Sequence, residues 1–482
     1  MRLTEKPQRR LIRAKFKTFL RRKRPNTGKP GSSEGLPTGA LVAYSLPLFA
    51  LHFSVAPIMS ILQGVYAKHY GLELTAIAFV LIIARVFDGV TDPLIGYFSD
   101  RTRARKPFAL VGGGLFVISA YFLFSPPESV SVVYFLFWYL AFFLSLTLFE
   151  IPHLSWGAEL APGYEERSRF YTTRGFFLIA GQTAFYALPY VPILPGNEFT
   201  PETLRLAVFM SAILTVVSLY WMARAVPDKM AQHRMERPRE NIRYVLRAIY
   251  KNNPLLIFVA AQSLSGFGMG MWVGLLFIYL DTYLQLGEGA AAFFLIGNLF
   301  SLASLAFWLR FANRVGKARA WAASTVSFLV LIAAMGVLEP GVGFWIPLFI
   351  MCAFYFANGC MHVVAPSILA DTVDYGKLKF GGDRAGTYFA FFALLGKVNA
   401  GVGAGAALAI AGLYEYDPTL LQNTAEAVFG LKLAFVVAPL FFMAASLIFI
   451  LMTPITRERH AVIRRKLLLR ERAEARTKNV FQ

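Results

Sequence analysis

Asp88 and Asp92 stand four residues apart in the run ARVFDGVTDP, with Arg85 three residues ahead of Asp88, inside a largely apolar stretch from Leu72 to Phe98 whose one other charged residue, Glu73, lies at its edge. Spacings of three and four bring all three groups to one face of a helix. The stretch has the length of a bilayer span, which takes ~20 apolar residues. A charge near the bilayer centre costs ~2.5–3.5 kcal/mol on insertion scales, so this face must look into a polar cavity or at opposite charges within a bundle. Two carboxylates one turn apart suit a hard cation such as Na⁺, which prefers oxygen ligands. They also suit a proton, because like charges crowded together in poor solvent favour protonation of one.

Beyond this stretch ionisable residues in apolar surroundings are few; those singled out are His52, Glu150 with Thr147 three residues before it in TLFEIP, and Lys397 in LLGKVN. Thr147 offers a further oxygen, and Lys397 an ammonium that neutralises the carboxylates when no cation is bound. An unpaired buried charge costs far more than a paired one. The candidate cation site is therefore Asp88, Asp92, Thr147 and Lys397. Pro93 lacks an N–H and frees the carbonyl of Gly89 for a ligand. The competing reading is an ion-pair network that only fixes helix packing, but packing rarely needs four intramembrane charges. For His52, a neighbouring carbonyl could satisfy the ring as well as a ligand could.

The elements that must position these groups are membrane spans. Apolar residues make up 56% of the chain and charged ones 16%, against ~25% charged in soluble domains, which excludes a water-surrounded globule. Twelve spans are predicted, at about 39–66, 73–99, 107–125, 130–158, 168–192, 203–225, 254–281, 289–311, 318–338, 343–368, 384–412 and 426–453. The long basic segment 226–253 separates the sixth from the seventh. The expected organisation is a basic tail (1–38), a six-helix bundle (39–225), a linker (226–253), a second six-helix bundle (254–453) and a basic tail (454–482). GYFSDRTRARK (96–106) after span two is echoed by FANRVGKAR (311–319) after span eight, as in carriers built from repeats about a central site.

The net charge of +20 invites a nucleic-acid reading, but 43 of the 48 Lys and Arg residues fall in the two tails and in alternate loops. The intervening loops carry only Lys68. This is the positive-inside pattern with both termini cytoplasmic, and it accounts for the charge with no nucleic acid. Residues 8–24 space Leu11, Ile12, Phe16, Phe19 and Leu20 among basic residues, which fits a helix on an anionic membrane surface or a tail that only sets topology. No cleavable signal peptide is evident. Cys352 and Cys360, eight residues apart in one helix, are separated by a rise of ~12 Å and cannot form a disulfide. Gly112–Gly114 opens a span and is no phosphate loop, and no hydrolase, kinase or redox motif is present, so no enzyme is expected.

Several motifs, ARVFDGVTDPLIGYFSDRTRARKPF (84–108), Glu150-Ile151-Pro152 with Glu165, Arg167 and Arg174 downstream, and ADTVDYG (370–376) leading to Arg384 and Lys397, recur in one order in a known family. From about residue 40 to 412 the chain resembles the glycoside-pentoside-hexuronide:cation symporters of the major facilitator superfamily, typified by the melibiose carrier. The resemblance implies an all-α membrane protein with twelve transmembrane helices in two six-helix bundles. It further implies symport of a small organic solute (a sugar, glycoside or uronate) with Na⁺ or H⁺, by alternating access and without any other cofactor. The family's cation site falls on Asp88, Asp92, Thr147 and Lys397. Its gating loop falls on Asp100 and Arg101.

The solute half of the resemblance is weaker. Melibiose-type carriers place an Asp where His52 stands, an Asp where Glu150 stands, and Trp where Leu154 and His362 stand. Arg174 matches after a one-residue shift. The expected solute-binding residues are His52, Glu150, Arg174 and His362, a set more basic than a neutral-sugar pocket and suited to a carboxylate or phosphate on the solute. Trp156 and Trp272 are candidates for the missing aromatic ring. Animal relatives of this family carry lysophospholipids, which leaves an amphiphile open, as are export of a drug-like compound and a non-transporting role as sensor or scaffold. The expected partners are solute, cation and membrane lipid, acting on a monomer in a bacterial inner membrane.

Overall fold

The computed structural model describes residues 37–102, 105–160, 164–192, 194, 196–226, 250–381 and 385–480. The expected N-terminal tail up to residue 36 and residues 227–249 of the linker lie outside the described residues.

The N-terminal half comprises α1 (Thr38–Ser60), α2 (Leu62–Tyr70), α3 (Leu74–Thr102), α4 (Arg105–Phe124), α5 (Val132–Leu160), α6 (Tyr164–Tyr186) and α7 (Pro201–Ala225). The C-terminal half comprises α8 (Asn253–Ile278), continued by a π-turn at Tyr279–Tyr283, then α9 (Gly287–Val315), α10 (Lys317–Gly336), α11 (Trp345–Phe380) and α12 (Ala385–Leu413). It closes with α13 (Ala425–Lys432), a π-turn at Leu433–Val437, and α14 (Ala438–Leu451), and α15 (Arg457–Val480) follows. The described residues contain no strand. In hydrocarbon every backbone polar group must be satisfied within its own segment, which helices achieve. Eleven of these helical segments are long and apolar enough to cross a membrane. The twelfth span is α6, whose first turns (YEERSRFYTTR) are too polar to qualify on composition.

The two halves repeat one packing scheme. In the first, α1 packs on α6 and α7, α5 on α3 and α4, and α4 on α7. In the second, α8 packs on α12 and α14, α11 on α9 and α10, and α10 on α14. The contacts between halves are related in the same way: α3 lies along α12, and α6 meets α9.

Helices in a bilayer gain little from hydrophobic exclusion and associate through close packing, for which small residues are needed. On α12, a Cβ at Gly405 would lie 2.8 Å from Ile82 and one at Gly412 2.7 Å from Thr75, while Gly401 lies against the stem of Arg85. These glycines bring α12 onto α3 along half its length. Gly112 does the same between α4 and α5, where a Cβ would come 2.5 Å from the amide of Phe149.

Near the end remote from Thr38 the halves are sealed by aromatic rings. Tyr186 stacks on Phe294 at 5.3 Å and Phe199 lies edge-on to Phe277 at 6.2 Å. Asp281, in the π-turn after α8, accepts from Lys68 of α2 at 2.8 and 3.1 Å. π-turns are frequent where a helix must present a functional side chain.

Candidate solute and cation site

Between α3 and α12, Lys397 Nζ donates to Asp92 Oδ2 at 2.6 Å. The hydroxyl of Thr147, on α5, donates to Asp92 Oδ1 at 2.9 Å. One carboxylate is therefore held by both halves of the molecule. The Asp92 side chain keeps 16% of its surface exposed and Lys397 37%, so both remain accessible.

Asp88 is placed differently. Its carboxylate pairs with Arg85 of its own helix at 2.9 Å, and only 2% of the side chain is exposed. The Arg85 guanidinium also lies 4.2 Å above the Phe143 ring. The expected pairing of Lys397 with both carboxylates is thus divided: Lys397 bonds Asp92, and Arg85 serves Asp88. Gly401 explains the division, because it admits the Arg85 stem one turn beyond Lys397. Arg85 lies within ion-pair distance, yet neither Asp88 oxygen accepts a well-directed hydrogen bond. Such a carboxylate beside a second one and a hydroxyl is a donor set of oxygens alone, which fits a hard cation or a proton.

Of the four residues expected to bind solute, His52 and Glu150 pair with each other, Arg174 pairs with a histidine outside the expected set, and His362 stands apart. His52 Nε2 lies 2.9 Å from Glu150 Oε1. Arg174 Nη1 lies 2.6 Å from Nδ1 of His153, one turn beyond Glu150 on α5. His362 is exposed on α11 and makes no side-chain hydrogen bond among the described residues. Leu154 is 43% exposed.

Neither tryptophan supplies a free ring. Trp156 is buried against Tyr44 at 5.6 Å, and Trp272 is stacked on Phe354 at 3.9 Å and on Phe435 at 5.5 Å. Arg101 donates to Tyr97 of its own helix at 3.2 Å. The side chains of Asp100, Glu165, Arg167 and Arg384 lie outside the described residues. In the ADTVDYG motif, Asp371 pairs with Lys317 at 2.6 Å and Asp374 with His460 of α15 at 3.0 Å. This ties the C-terminal helix to the start of α10.

Two features escape a reading by residue type. His153 is fully buried, in contact with both Tyr44 and Arg174; its i+3 relation to Glu150 is the one signal the sequence offers. Lys68 stands out in the sequence as the lone cation of its set of loops, but its partner Asp281 cannot be named without the π-turn.

Residues 43–457 match the family described as MFS/sugar transport protein. The chain belongs to that family. The match extends over both halves, as the resemblance to glycoside-pentoside-hexuronide:cation symporters implied, and the protein is a membrane transporter rather than an enzyme. The chain is 23% identical to the putative glycoside/cation symporter YagG of Escherichia coli, over 90% of this chain and 95% of that one. It is 24% identical to the glucuronide carrier protein homolog of the same organism, over 86% and 92%. Among solved structures, the nucleoside transporter NupG superposes with a TM-score of 0.66 at 13% identity, covering 87% of this chain and all of that one. That likeness is one of fold.

Proposed function

We propose that the protein is a cation-coupled symporter that moves a glycoside, sugar or uronate by alternating access, with both termini on the cytoplasmic side of a bacterial inner membrane. It works as a monomer and needs no cofactor beyond the coupling cation. The observation that carries this reading is the Asp92 carboxylate shared between Thr147 of one half and Lys397 of the other. Ion pairs join the halves at two levels among the described residues, at Asp92 and at Lys68–Asp281. The second closes the remote end, which makes the described conformation one that opens toward the side of Thr38.

In this state Lys397 neutralises Asp92. A cation entering between Asp92, Thr147 and Asp88 supplies the same charge and frees the lysine, so that the two halves are no longer tied at that depth. His52, Glu150, Arg174 and His362 then hold the solute, with Glu150 accepting from hydroxyls and the basic groups taking any acidic substituent. The relatives named for glycosides and glucuronides support the solute class. By linkage, a cation that strengthens solute binding must be strengthened by solute to the same factor.

The test is uptake into proteoliposomes under an imposed Na⁺ or H⁺ gradient, with glycosides and glucuronides supplied in turn. Asp92→Asn is expected to insert and fold but to lose uphill accumulation. Gradient-driven accumulation at the parent level in Asp92→Asn would refute the site.

A further inference from the structure

The contacts of His153 assign the protonation of its ring without a titration. Nε2 faces the carbonyl of Tyr44 at 2.9 Å, and a carbonyl only accepts, so Nε2 carries the hydrogen. Nδ1 faces Arg174 Nη1 at 2.6 Å. A guanidinium only donates, so Nδ1 presents its lone pair. The imidazole is neutral and held in one tautomer, since a second ring proton would point N–H at N–H and set two cations in contact.

The ring is also clamped. It stacks on Tyr44 at 3.9 Å and on Phe149 at 4.7 Å, and the Tyr44 hydroxyl donates to the carbonyl of His153. No surface of the residue is exposed. The fixed object in this arrangement is the imidazole, and the object it fixes is Arg174, which is only half-buried. One of five guanidinium N–H groups is spent on His153, leaving the others to turn elsewhere. Among the described residues Arg174 makes no ion pair with the neighbouring carboxylate, Glu150, whose Oε1 faces His52 at 2.9 Å.

We propose that His153 is a positioning residue of the solute site: a buried neutral imidazole that accepts from Arg174 and aims the remaining guanidinium donors at an anionic oxygen of the solute. This rests on the reading above that Arg174 meets solute. An arginine on a long flexible stem must lose rotamer freedom to grip a ligand, and a preset guanidinium has lost it before the ligand arrives.

Three substitutions separate the functions of the ring. His153→Asn keeps an acceptor where Nδ1 stands, His153→Gln keeps a donor where Nε2 stands, and His153→Phe keeps the stacked ring without either. Methyl β-D-glucuronide and methyl β-D-glucoside serve as the charged and neutral probes. His153→Phe and His153→Gln are expected to raise the KM for the glucuronide about tenfold, the scale of one hydrogen bond to a charged group, with Vmax and the cation dependence little changed. His153→Asn should restore the parent KM, and the glucoside should be indifferent to all three. If His153→Asn is as impaired as His153→Phe, or if Vmax falls together with thermal stability for both probes, the residue is merely structural and the proposal is overturned.

A second measurement needs no transported probe. Nitrogen NMR of histidine-labelled full-length protein in nanodiscs should show an unprotonated Nδ1 and a protonated Nε2 for His153, and the Nδ1 signal should shift in Arg174→Lys. The opposite tautomer, or an Nδ1 blind to Arg174→Lys, overturns the proposal even if uptake is unmeasurable. Conversely, if Arg174→Ala leaves glucuronide KM unchanged while the NMR signature holds, the assignment of Arg174 to the solute site fails and the His153–Arg174 pair is a packing contact.

Discussion

The ion pair at the remote end makes a quantitative demand on the transport cycle. Lys68 and Asp281 come from opposite halves and meet at 2.8 Å, with the Asp281 side chain 5% and the Lys68 side chain 32% exposed. At an effective dielectric constant of ~20, the Coulomb attraction at this distance is ~6 kcal/mol. Dehydrating a carboxylate this deep takes back most of it, and the one-third exposure of the ammonium reduces the remainder. A net bias of ~2 kcal/mol toward the closed remote end is a reasonable balance, and it corresponds to a ~30-fold ratio of conformers. Lys68→Met removes that bias and strands Asp281 without a counter-ion. Asp281→Asn removes it without the stranded charge, and the double variant tests whether the two act as a unit.

The populations can be read by placing a cysteine at Ser60, which is buried and bonded to the hydroxyl of Tyr186 at 3.1 Å, immediately beneath the aromatic seal. With Cys352 and Cys360, both buried, replaced by Ala, a membrane-impermeant maleimide applied to the exterior of whole cells should label Ser60→Cys on the order of 10-fold faster or more in Lys68→Met than in the parent. Asp281→Asn should do the same, and the double variant should add little to either single one. If the effects of the two single substitutions sum in the double, or if labelling is unchanged in all three while the proteins remain monodisperse, the pair does not hold the remote end closed.

Three further outcomes follow from the site and its surroundings. Gly401→Ala drives a methyl group into the Arg85 stem and should lower thermal stability by ~1–3 kcal/mol; because it also pushes α12 off α3, it should weaken cation-dependent stabilisation, which a melting series in Na⁺ would detect. Thr147→Val removes the hydroxyl that donates to Asp92 at 2.9 Å, and a hydrogen bond to a charged group is worth ~1.5–3 kcal/mol. The half-saturating cation concentration in the same melting assay should rise ~10-fold or more, with Thr147→Ser close to the parent. Outside the spans, the Glu339 carboxyl is held below its ordinary range, first by a hydrogen bond from Lys432 and then by one from Tyr283. A depressed carboxyl contributes above its unfolded pKa of ~4.3 and loses that contribution as pH falls through its folded value. The carboxylate is exposed, so Glu339→Gln should cost under ~1 kcal/mol at pH 7, and the difference in melting temperature should begin to shrink only as pH falls below ~4.

How much of this is legible in the sequence depends on whether a side chain's partner is implied by its surroundings or chosen by the fold. Asp92 and Lys397 are 305 positions apart, yet their meeting could be expected, because hydrocarbon forces each intramembrane charge to find an opposite one and few are on offer. The division into halves follows from the same logic, since 226–253 is the one interior segment too polar to be buried. Which cation serves which carboxylate is not legible. Arg85 and Lys397 are equally able to neutralise Asp88, and the outcome turns on Gly401, whose missing side chain admits the Arg85 stem. His153 is hidden for the opposite reason. A lone histidine near a proline is satisfied by almost any carbonyl, and its meaning arises only when Tyr44 and Arg174 approach its two nitrogens from separate helices. Lys68 lies between these cases: its isolation on one side of the charge map singles it out, but a lysine at a helix end ordinarily reaches water. Only the π-turn that directs Asp281 inward makes it a link between halves. Charge placed in hydrocarbon is therefore visible in a sequence as a requirement. The choice among the partners able to meet it is made by backbone details, such as a glycine or an extra residue in a turn, that acquire consequence only when two helices are brought together.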